Sequence, residues 1–439
     1  MLTEREARKI CDTLLRLTKA DDAVVNVRES IECNQRFAAN AFTTNGSSRG
    51  RGFSVTVWMD KRQGSASGTE FDDASLRRAV EQAEHLAKLS PADVEYMPTL
   101  GPQKYKPVKG YVSKTAELSP AWRAKQIGDI LDQCDKARVV GAGLFQSRAF
   151  TTASVTRHGN FEFERSTSAS LSVTARTPDG TSSGYGLHDH FNVDKLDLAG
   201  ASGRAIKKAL TGRDAQKLEP GVYPVILEPQ AVSDILGFFN GAFNARSAEE
   251  GRSPMSAPDG KTLLGQSVFD SKINFYSDPW HPELPGSQSA QDGLPAEKLY
   301  LVRGGVVENL VSSRFWAQKT GKQPTPGPVN SILESVGPTR SLDEMIGNTE
   351  RALLVTRFWY IRMVSPRAQL LTGLTRDGVW LVENGKIKYP VRNFRFNQSV
   401  MKMLAPGNVE MIGKPVRVDG LFPALKLKAF TFSSESEAV

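Results

Sequence analysis

Apolar positions at the start of the chain recur at helical spacing and then switch to strand spacing. Over residues 3–20, Ile10, Leu14 and Leu17 form one stripe. Thr3 can cap, and Glu6 three residues on completes a capping box, so an amphipathic helix is expected. Extended segments follow at 23–32, 36–42 and 52–59. In the last of these Phe53, Val55 and Val57 alternate with polar residues and so share one face. Asp72 and Asp73 open a second helix to about residue 88, with Leu76, Val80, Ala83, Leu86 and Ala87 on one side. A connector rich in Pro and Gly, 90–110, breaks the pattern.

The same order then recurs. Ser119-Pro120 starts a helix carrying Ile127, Ile130, Leu131 and Cys134. Strands are expected at 142–151, 154–157, 160–166 and 169–176, and a helix at 195–210. VTVWMDKRQGSASG (55–68) lies over LSVTARTPDGTSSG (171–184) at a constant offset. This reads either as an internal duplication of a helix–sheet–helix unit or as two hairpins with common turn chemistry. Residues 1–218 form an α/β domain in this reading, and Glu219-Pro220-Gly221 marks its end.

Beyond the boundary, 223–227 is a short buried strand. Glu228-Pro229 leads into a helix expected over 230–247, with Val232, Ile235, Leu236, Phe239 and Phe243 as its core stripe. The Pro/Gly/Ser-rich stretches 251–265 and 277–292 are too long for simple connectors and are candidate site-lining loops. Strands resume at 298–302 and 306–311 around Gly304-Gly305, and continue from 331 to 432. Asn384-Gly385 supplies the two positive φ values of a type I′ hairpin. Folding there sets Glu383 against Lys386, Val382 against Ile387, Leu381 against Lys388 and Trp380 against Tyr389. The Trp380/Tyr389 and Val382/Ile387 pairs should then share a buried face. Arg376-Asp377-Gly378 reads as the preceding turn, and SSESEAV as a short acidic tail, frayed at the end. The fold class is α+β: an N-terminal α/β domain, then a β-rich antiparallel domain over 219–439.

Composition narrows this picture. With 39% hydrophobic and 24% charged residues, 37 Gly and 24 Pro, the chain is that of an ordinary turn-rich globular protein. No apolar run approaches the roughly 18–20 residues that span a bilayer, and the charged N-terminus has no signal-peptide core. Three cysteines (Cys11, Cys33, Cys134) without CxxC spacing suit a reducing compartment, so a cytoplasmic location is expected. The net charge of +8 is scattered among nearly as many acids, which reads as a solvated surface and not a nucleic-acid site.

The stretch GLTRDGVWLVENGKIKYPVRNFRFNQS (373–399) closely resembles the C-terminal signature of the TldD/PmbA family, a two-subunit peptidase system whose second subunit is called PmbA or TldE. The weaker features upstream fit the same family. In TldD-like members the helix after the short strand carries HExxxH, two zinc-binding imidazoles and a carboxylate that activates the metal-bound water. Here the matching positions are Gly237, Phe238 and Ala242, which can neither ligate a metal nor accept a proton. The family's further ligating cysteine near the C-terminus has no counterpart after Cys134. The departure resembles the PmbA/TldE branch. It implies no catalytic or metal-binding residue and no cofactor in this chain.

Other chemistry is weighed against bland readings. His188-Asp189-His190 can chelate from one face of a strand, but after a Gly/Ser turn it reads more simply as a solvated loop or helix lead-in. Gly180-Thr181-Ser182-Ser183-Gly184 matches GxSxG, yet a nucleophile elbow needs strand–turn–helix context and this one links two strands. His281 sits in a long loop, His85 and His158 are isolated, and the cysteines have no adjacent histidine. No phosphate-binding GxxxxGK[ST] occurs. Arg357, Arg362, Arg367 and Arg376 with Phe358, Trp359 and Tyr360 give the last sheet the aromatic and arginine content of an interface centre. The resemblance implies a non-catalytic subunit that pairs with a zinc-carrying TldD-like chain, or forms a homodimer, and processes unfolded peptides. The alternative is a regulatory protein similar to family members described as DNA gyrase modulators.

Overall fold

The Thr3 side chain accepts from the Glu6 N–H at 3.3 Å while Glu6 accepts from the Thr3 N–H at 2.8 Å, so α1 (Glu4–Leu17) starts where its capping box dictates. The computed structural model describes residues 1–436. After α1 come β1 (Asp22–Ala38), β2 (Ala41–Met59) and β3 (Arg62–Gly68), then α2 (Asp73–Leu89) capped by Asp72. Ala39, Asn40, Asp60 and Lys61 all have positive φ, which makes both connections two-residue hairpins. The expected strand at 36–42 is therefore a hairpin tip, and three expected segments are two long strands. The middle of β2 is polar and exposed, so ladder hydrogen bonds hold it without an alternating pattern to betray it.

A short α3 (Ser113–Ala116) precedes α4 (Pro120–Lys136), β4 (Val140–Thr156), β5 (Phe161–Arg176), β6 (Ser183–His190) and α5 (Leu198–Thr211). Four expected strands here merge into β4 and β5, which pair without interruption from Val140 against Arg176 to Val155 against Phe161. The six strands form one antiparallel sheet, β3-β2-β1-β4-β5-β6, mirrored about the β1/β4 pair. Each half is helix, three strands, helix, which is the duplicated unit. Two glycines make the equivalence physical. Gly64 pairs with Val57 and Gly186 with Val173. A Cβ on either would meet the backbone of the covering helix, 2.0 Å from the Ala83 carbonyl oxygen or 1.9 Å from that of Ala201. The second hairpin has a longer turn, so Ala66, which pairs with Val55, corresponds to His188, which pairs with Leu171, and not to Ser182. The helices cover one face of this sheet in two cores. One holds Cys11, Leu14, Val25, Val55 and Val80; the other holds Ile127, Leu131, Phe145, Leu171 and Ala205.

The rest of the chain comprises β7 (Val222–Leu227), α6 (Pro229–Leu236), α7 (Ala245–Glu249), β8 (Ile273–Ser277), β9 (Leu299–Arg303), β10 (Val306–Val307), α8 (Arg314–Lys319), β11 (Ile332–Ser335) and α9 (Leu342–Gly347). It continues with β12 (Arg351–Ser365), β13 (Leu370–Glu383), β14 (Lys386–Pro390), β15 (Phe394–Ser399), α10 (Val400–Met403), β16 (Val409–Ile412), β17 (Val416–Arg417), β18 (Leu421–Phe422) and β19 (Leu425–Glu435). One sheet runs β10-β9-β8-β11-β18-β17. In the other, β12-β7-β19-β15-β13 closes into a ring because β12 also pairs with β13. A single core rich in phenylalanine joins these sheets to α6, including Phe239, Phe243, Phe275, Phe396 and Phe430.

Asn384 and Gly385 both have positive φ and form the expected hairpin. Glu383 faces Lys386 and Val382 faces Ile387, but a bulge then sets Leu381 against Tyr389 and Trp380 against Pro390. Ile387 is 49% exposed while Leu381 and Val382 are both buried, because β13 is covered on both faces and β14 lies at an edge. Arg376-Asp377-Gly378 is not a turn. Asp377 and Gly378, at φ 57° and 127°, form a bulge inside β13 opposite Thr356, and the turn before β13 lies at 366–369. Ser433 to Glu435 of the expected tail belong to β19, and residues 437–439 lie outside the described residues.

Candidate functional site

Helix α6 begins with Glu228 at its N-cap and Pro229 in the first turn, where a missing N–H costs nothing. Val232, Ile235 and Leu236 anchor it in the core. It stops at Leu236, eleven residues short of the expected end. Gly237 and Gly241 with Asn240 and Asn244 make a stretch of poor helix formers. The chain instead makes a turn, a 3-10 segment over Asn240–Phe243 and then α7, capped by the Asn244 side chain on the Ser247 N–H at 2.9 Å. The apolar stripe survives the break. Phe239 and Phe243 are fully buried with ring centroids 4.9 Å apart, and Phe239 also contacts Phe269 and Phe275.

The three positions that the resemblance matches to HExxxH thus lie in different environments. Gly237 and Phe238 are at the surface, Phe238 39% exposed, whereas Ala242 is 4% exposed and packs into the core. None offers a nitrogen, oxygen or sulfur donor, so these positions do not fit a zinc ion or the base that would activate its water. Among the described residues no group of three or more His, Cys, Asp or Glu is arranged to hold a metal.

A polar cluster one turn upstream escaped the sequence reading. Asp234 accepts from the Phe358 N–H at 2.7 Å and from Gln230 Nε2 at 2.8 Å. Burial pushes its carboxyl up to about 6, against the opposing pull of those hydrogen bonds and Arg357. Beside it, Gln230 Oε1, Thr356 Oγ1 and Arg357 Nε are buried without a hydrogen-bond partner. Arg357 lies 3.9 Å over the Tyr185 ring and 3.5 Å from Asp377, which also accepts from Ser183 Oγ at 2.7 Å. The bulge at Asp377 thereby ties β13 to β6. The one available signal was the Gln230/Asp234 spacing of four residues in a helix whose only other polar side chain is Ser233.

The aromatic and basic set divides. Phe358 is core, stacked on Phe430 at 5.3 Å, and Arg357 is turned inward. Trp359 (44% exposed), Tyr360 (63%), Val364, Arg362 and Arg367 face outward. Arg376 lies 4.8 Å from the Trp359 ring and Arg362 4.4 Å from that of Tyr360, whose φ of 54° is strained for a tyrosine. Gln369 Nε2 donates to the Phe238 carbonyl at 2.6 Å and joins this face to the end of α6.

His188, Asp189 and His190 lie on strand β6 and not on a loop or helix lead-in, because they pair with β5. His188 Nδ1 accepts from the Asp197 N–H at 3.2 Å, and His190 Nδ1 from the Asn192 N–H at 2.9 Å. His190 Nε2 lies 3.2 Å from Glu283, which also pairs with Lys195 at 2.7 Å, and Asp189 pairs with Arg417 at 2.8 Å. Burial pulls both imidazoles down, so both are held as neutral structural acceptors. Ser182 is buried in the β5–β6 turn, its N–H donating to Thr177 Oγ1, with no helix following to make an elbow. His281 accepts from the Glu283 N–H at 3.2 Å, His158 lies 3.6 Å from Asp22, and His85 is exposed on α2. Burial raises the thiols of Cys11 and Cys134 to about 12 and about 11, and Cys33 lies 3.4 Å from Ser47 Oγ.

Two family models match the chain: PmbA/TldA metallopeptidase C-terminal domain over residues 220–434, and PmbA/TldA metallopeptidase domain 1 over residues 23–87. A Haemophilus influenzae metalloprotease PmbA homolog is 24% identical over 373 residues, spanning 80% of this chain and 78% of that protein. A Synechocystis metalloprotease is 27% identical over 263 residues, spanning 54% and 50%. TldE from Thermococcus kodakarensis superposes with a TM-score of 0.86 at 18% identity, covering 97% of this chain and 99% of that one. A Thermotoga maritima protein assigned provisionally as a modulator of a DNA gyrase gives 0.85 at 17%, covering 97% and 100%. At such identities the structural likeness is one of fold.

Proposed function

The chain belongs to the PmbA/TldD metallopeptidase family, and on that premise we propose that it is a non-catalytic, PmbA/TldE-like subunit whose zinc-bearing partner is a separate TldD-like chain. One observation carries this reading: Gly237, Phe238 and Ala242 stand where the family's resemblance implies two ligands and a base. The break after Leu236 supports it, since a metal site on consecutive turns needs a continuous helix there.

In this reading residues 1–218 and 219–439 are two domains that wall a cavity for unfolded peptides in the cytoplasm, and the partner supplies metal and base. The outward face of Phe238, Trp359, Tyr360 and Val364 with Arg362 and Arg367 is the docking surface, because it combines apolar area with aromatic and arginine side chains. The test is purification alone and with a co-expressed TldD-like chain, followed by metal analysis and cleavage of an unstructured peptide. The expected result is metal and hydrolysis only in the pair, with loss of pairing in Trp359→Asp. Stoichiometric zinc with chelator-sensitive cleavage by the isolated chain would overturn the proposal, as would such cleavage by Phe238→Glu alone. A stable homodimer that ignores the TldD-like chain would overturn the pairing.

A further inference from the structure

The pairing of strands carries the outward face of β12 across β13 and onto β15. Trp359 lies opposite Leu374, which lies opposite Arg395; Arg362 lies opposite Thr372, which lies opposite Asn397. Residues opposite one another in paired strands project from the same side of a sheet. Exposed Trp359, Arg362 and Arg395 therefore share one face. Exposed Arg367 stands at the turn between β12 and β13. Ser399 Oγ donates to the Ala368 carbonyl at 2.7 Å and sets α10, with exposed Lys402, beside that turn.

This face carries one sign of charge. Residues 356–376 hold four arginines and residues 391–404 add Arg392, Arg395 and Lys402, with no Asp or Glu in either stretch. Over the whole chain, by contrast, 56 Lys and Arg are set among 48 Asp and Glu. Asp377, next in sequence, is 3% exposed and is already held by Arg357, Arg376 and Ser183. Arg362, Arg367, Arg395 and Lys402 make no ion pair among the described residues. The guanidinium groups of Arg376 and Arg362 lie against the Trp359 and Tyr360 rings. A guanidinium laid on a ring keeps its in-plane N–H fork free, and that fork matches the two oxygens of a carboxylate. Cations without counter-charges beside exposed aromatic rings call for a partner that brings the acids. The stacked arginines favour carboxylates over nucleobases, since each occupies a ring surface on which a base would stack.

We propose that this face docks an acidic patch of the TldD-like chain, with carboxylates on Arg362 and Arg395 around Trp359 as the apolar centre. The assignment rests on the subunit reading and adds the chemistry of the partner's surface. The test is the affinity between the two separately purified full chains, measured by isothermal titration calorimetry. Raising NaCl from about 50 to 300 mM should weaken pairing at least about tenfold, because exposed charge pairs are screened. Arg362→Glu with Arg395→Glu should weaken it about a hundredfold at the lower salt, roughly tenfold per reversed contact. Lys9→Glu with Lys136→Glu, the same change of charge at exposed sites on α1 and α4, should leave the affinity within about threefold. Thermal melts check that each variant is folded. Pairing that ignores both salt and the Arg362→Glu/Arg395→Glu change would overturn the acidic patch and leave the subunit reading standing. An equal loss in the Lys9→Glu/Lys136→Glu control would do the same, since the effect would then be one of net charge. No pairing of the wild-type chains at either salt would overturn both. Binding of a single-stranded DNA of about 20 nucleotides by this chain, lost on Arg362→Glu/Arg395→Glu, would give the face to nucleic acid instead.

Discussion

Asp234→Asn gives the sharpest physical test of the region around residues 237–242. In the folded chain the Asp234 carboxyl titrates at about 6 instead of the ordinary 3.8, because burial disfavours its charge more than its hydrogen bonds favour it. A native pKa above the unfolded one means that the folded state holds the proton more tightly. Stability contributed by the neutral acid is therefore present below pH 4 and is lost as pH rises towards 6. Two pKa units at about 1.4 kcal/mol each put the cost at about 3 kcal/mol above pH 6. Asparagine has the same shape and no charge. Its oxygen can accept from the Phe358 N–H, and its amide can donate to Gln230 Oε1, unpaired in the wild type, once that side chain flips. Urea unfolding of both proteins from pH 4 to 8 reads out the difference, since every other titrating group is common to the pair. The variant should match the wild type near pH 4 and exceed it by about 2–3 kcal/mol at pH 8. A stability difference that does not change with pH, or an asparagine protein less stable at pH 8, would refute the account of a desolvated carboxylate.

Gly64→Ala and Gly186→Ala should each lower stability by about 3 kcal/mol, because the new methyl meets helix backbone that cannot retreat. Gly180→Ala, with open space but φ 73°, should cost only about 1–2 kcal/mol, and thermal melts compare the three. Phe239→Ala should cost about 3–5 kcal/mol in the same assay, while Phe238→Ala, partly exposed, should stay within about 0.5 kcal/mol. Asp377→Ala strands Arg357 and Ser183 together and should cost about 3–5 kcal/mol by urea unfolding, with most of it regained if Arg357 is also changed to Met.

Features whose causes lie within a few residues were legible. The Thr3/Glu6 box, the Asp72 and Ser119 caps and the Asn384-Gly385 hairpin all depend on local dihedral chemistry, and each stands where its letters say. Strand ends were less legible. The polar centre of β2 carries no alternation, and only pairing with β1 tells it from loop. The helix over 230–247 was overextended because Phe239 and Phe243 keep helical spacing through a 3-10 turn, so periodicity alone registers no break.

By itself the sequence determined the family, the α+β class and the absence of donor side chains at 237, 238 and 242, since an absent side chain is absent in any fold. Tertiary structure alone decided what fills the neighbourhood. Asp234 meets Phe358 across 124 residues of chain and Asp377 meets Ser183 across 194. The raised carboxyl of Asp234 and the unpaired polar atoms beside it arise only when β6, α6, β12 and β13 are packed together. Desolvation and hydrogen-bond partnership belong to that packing, and no spacing of letters encodes them.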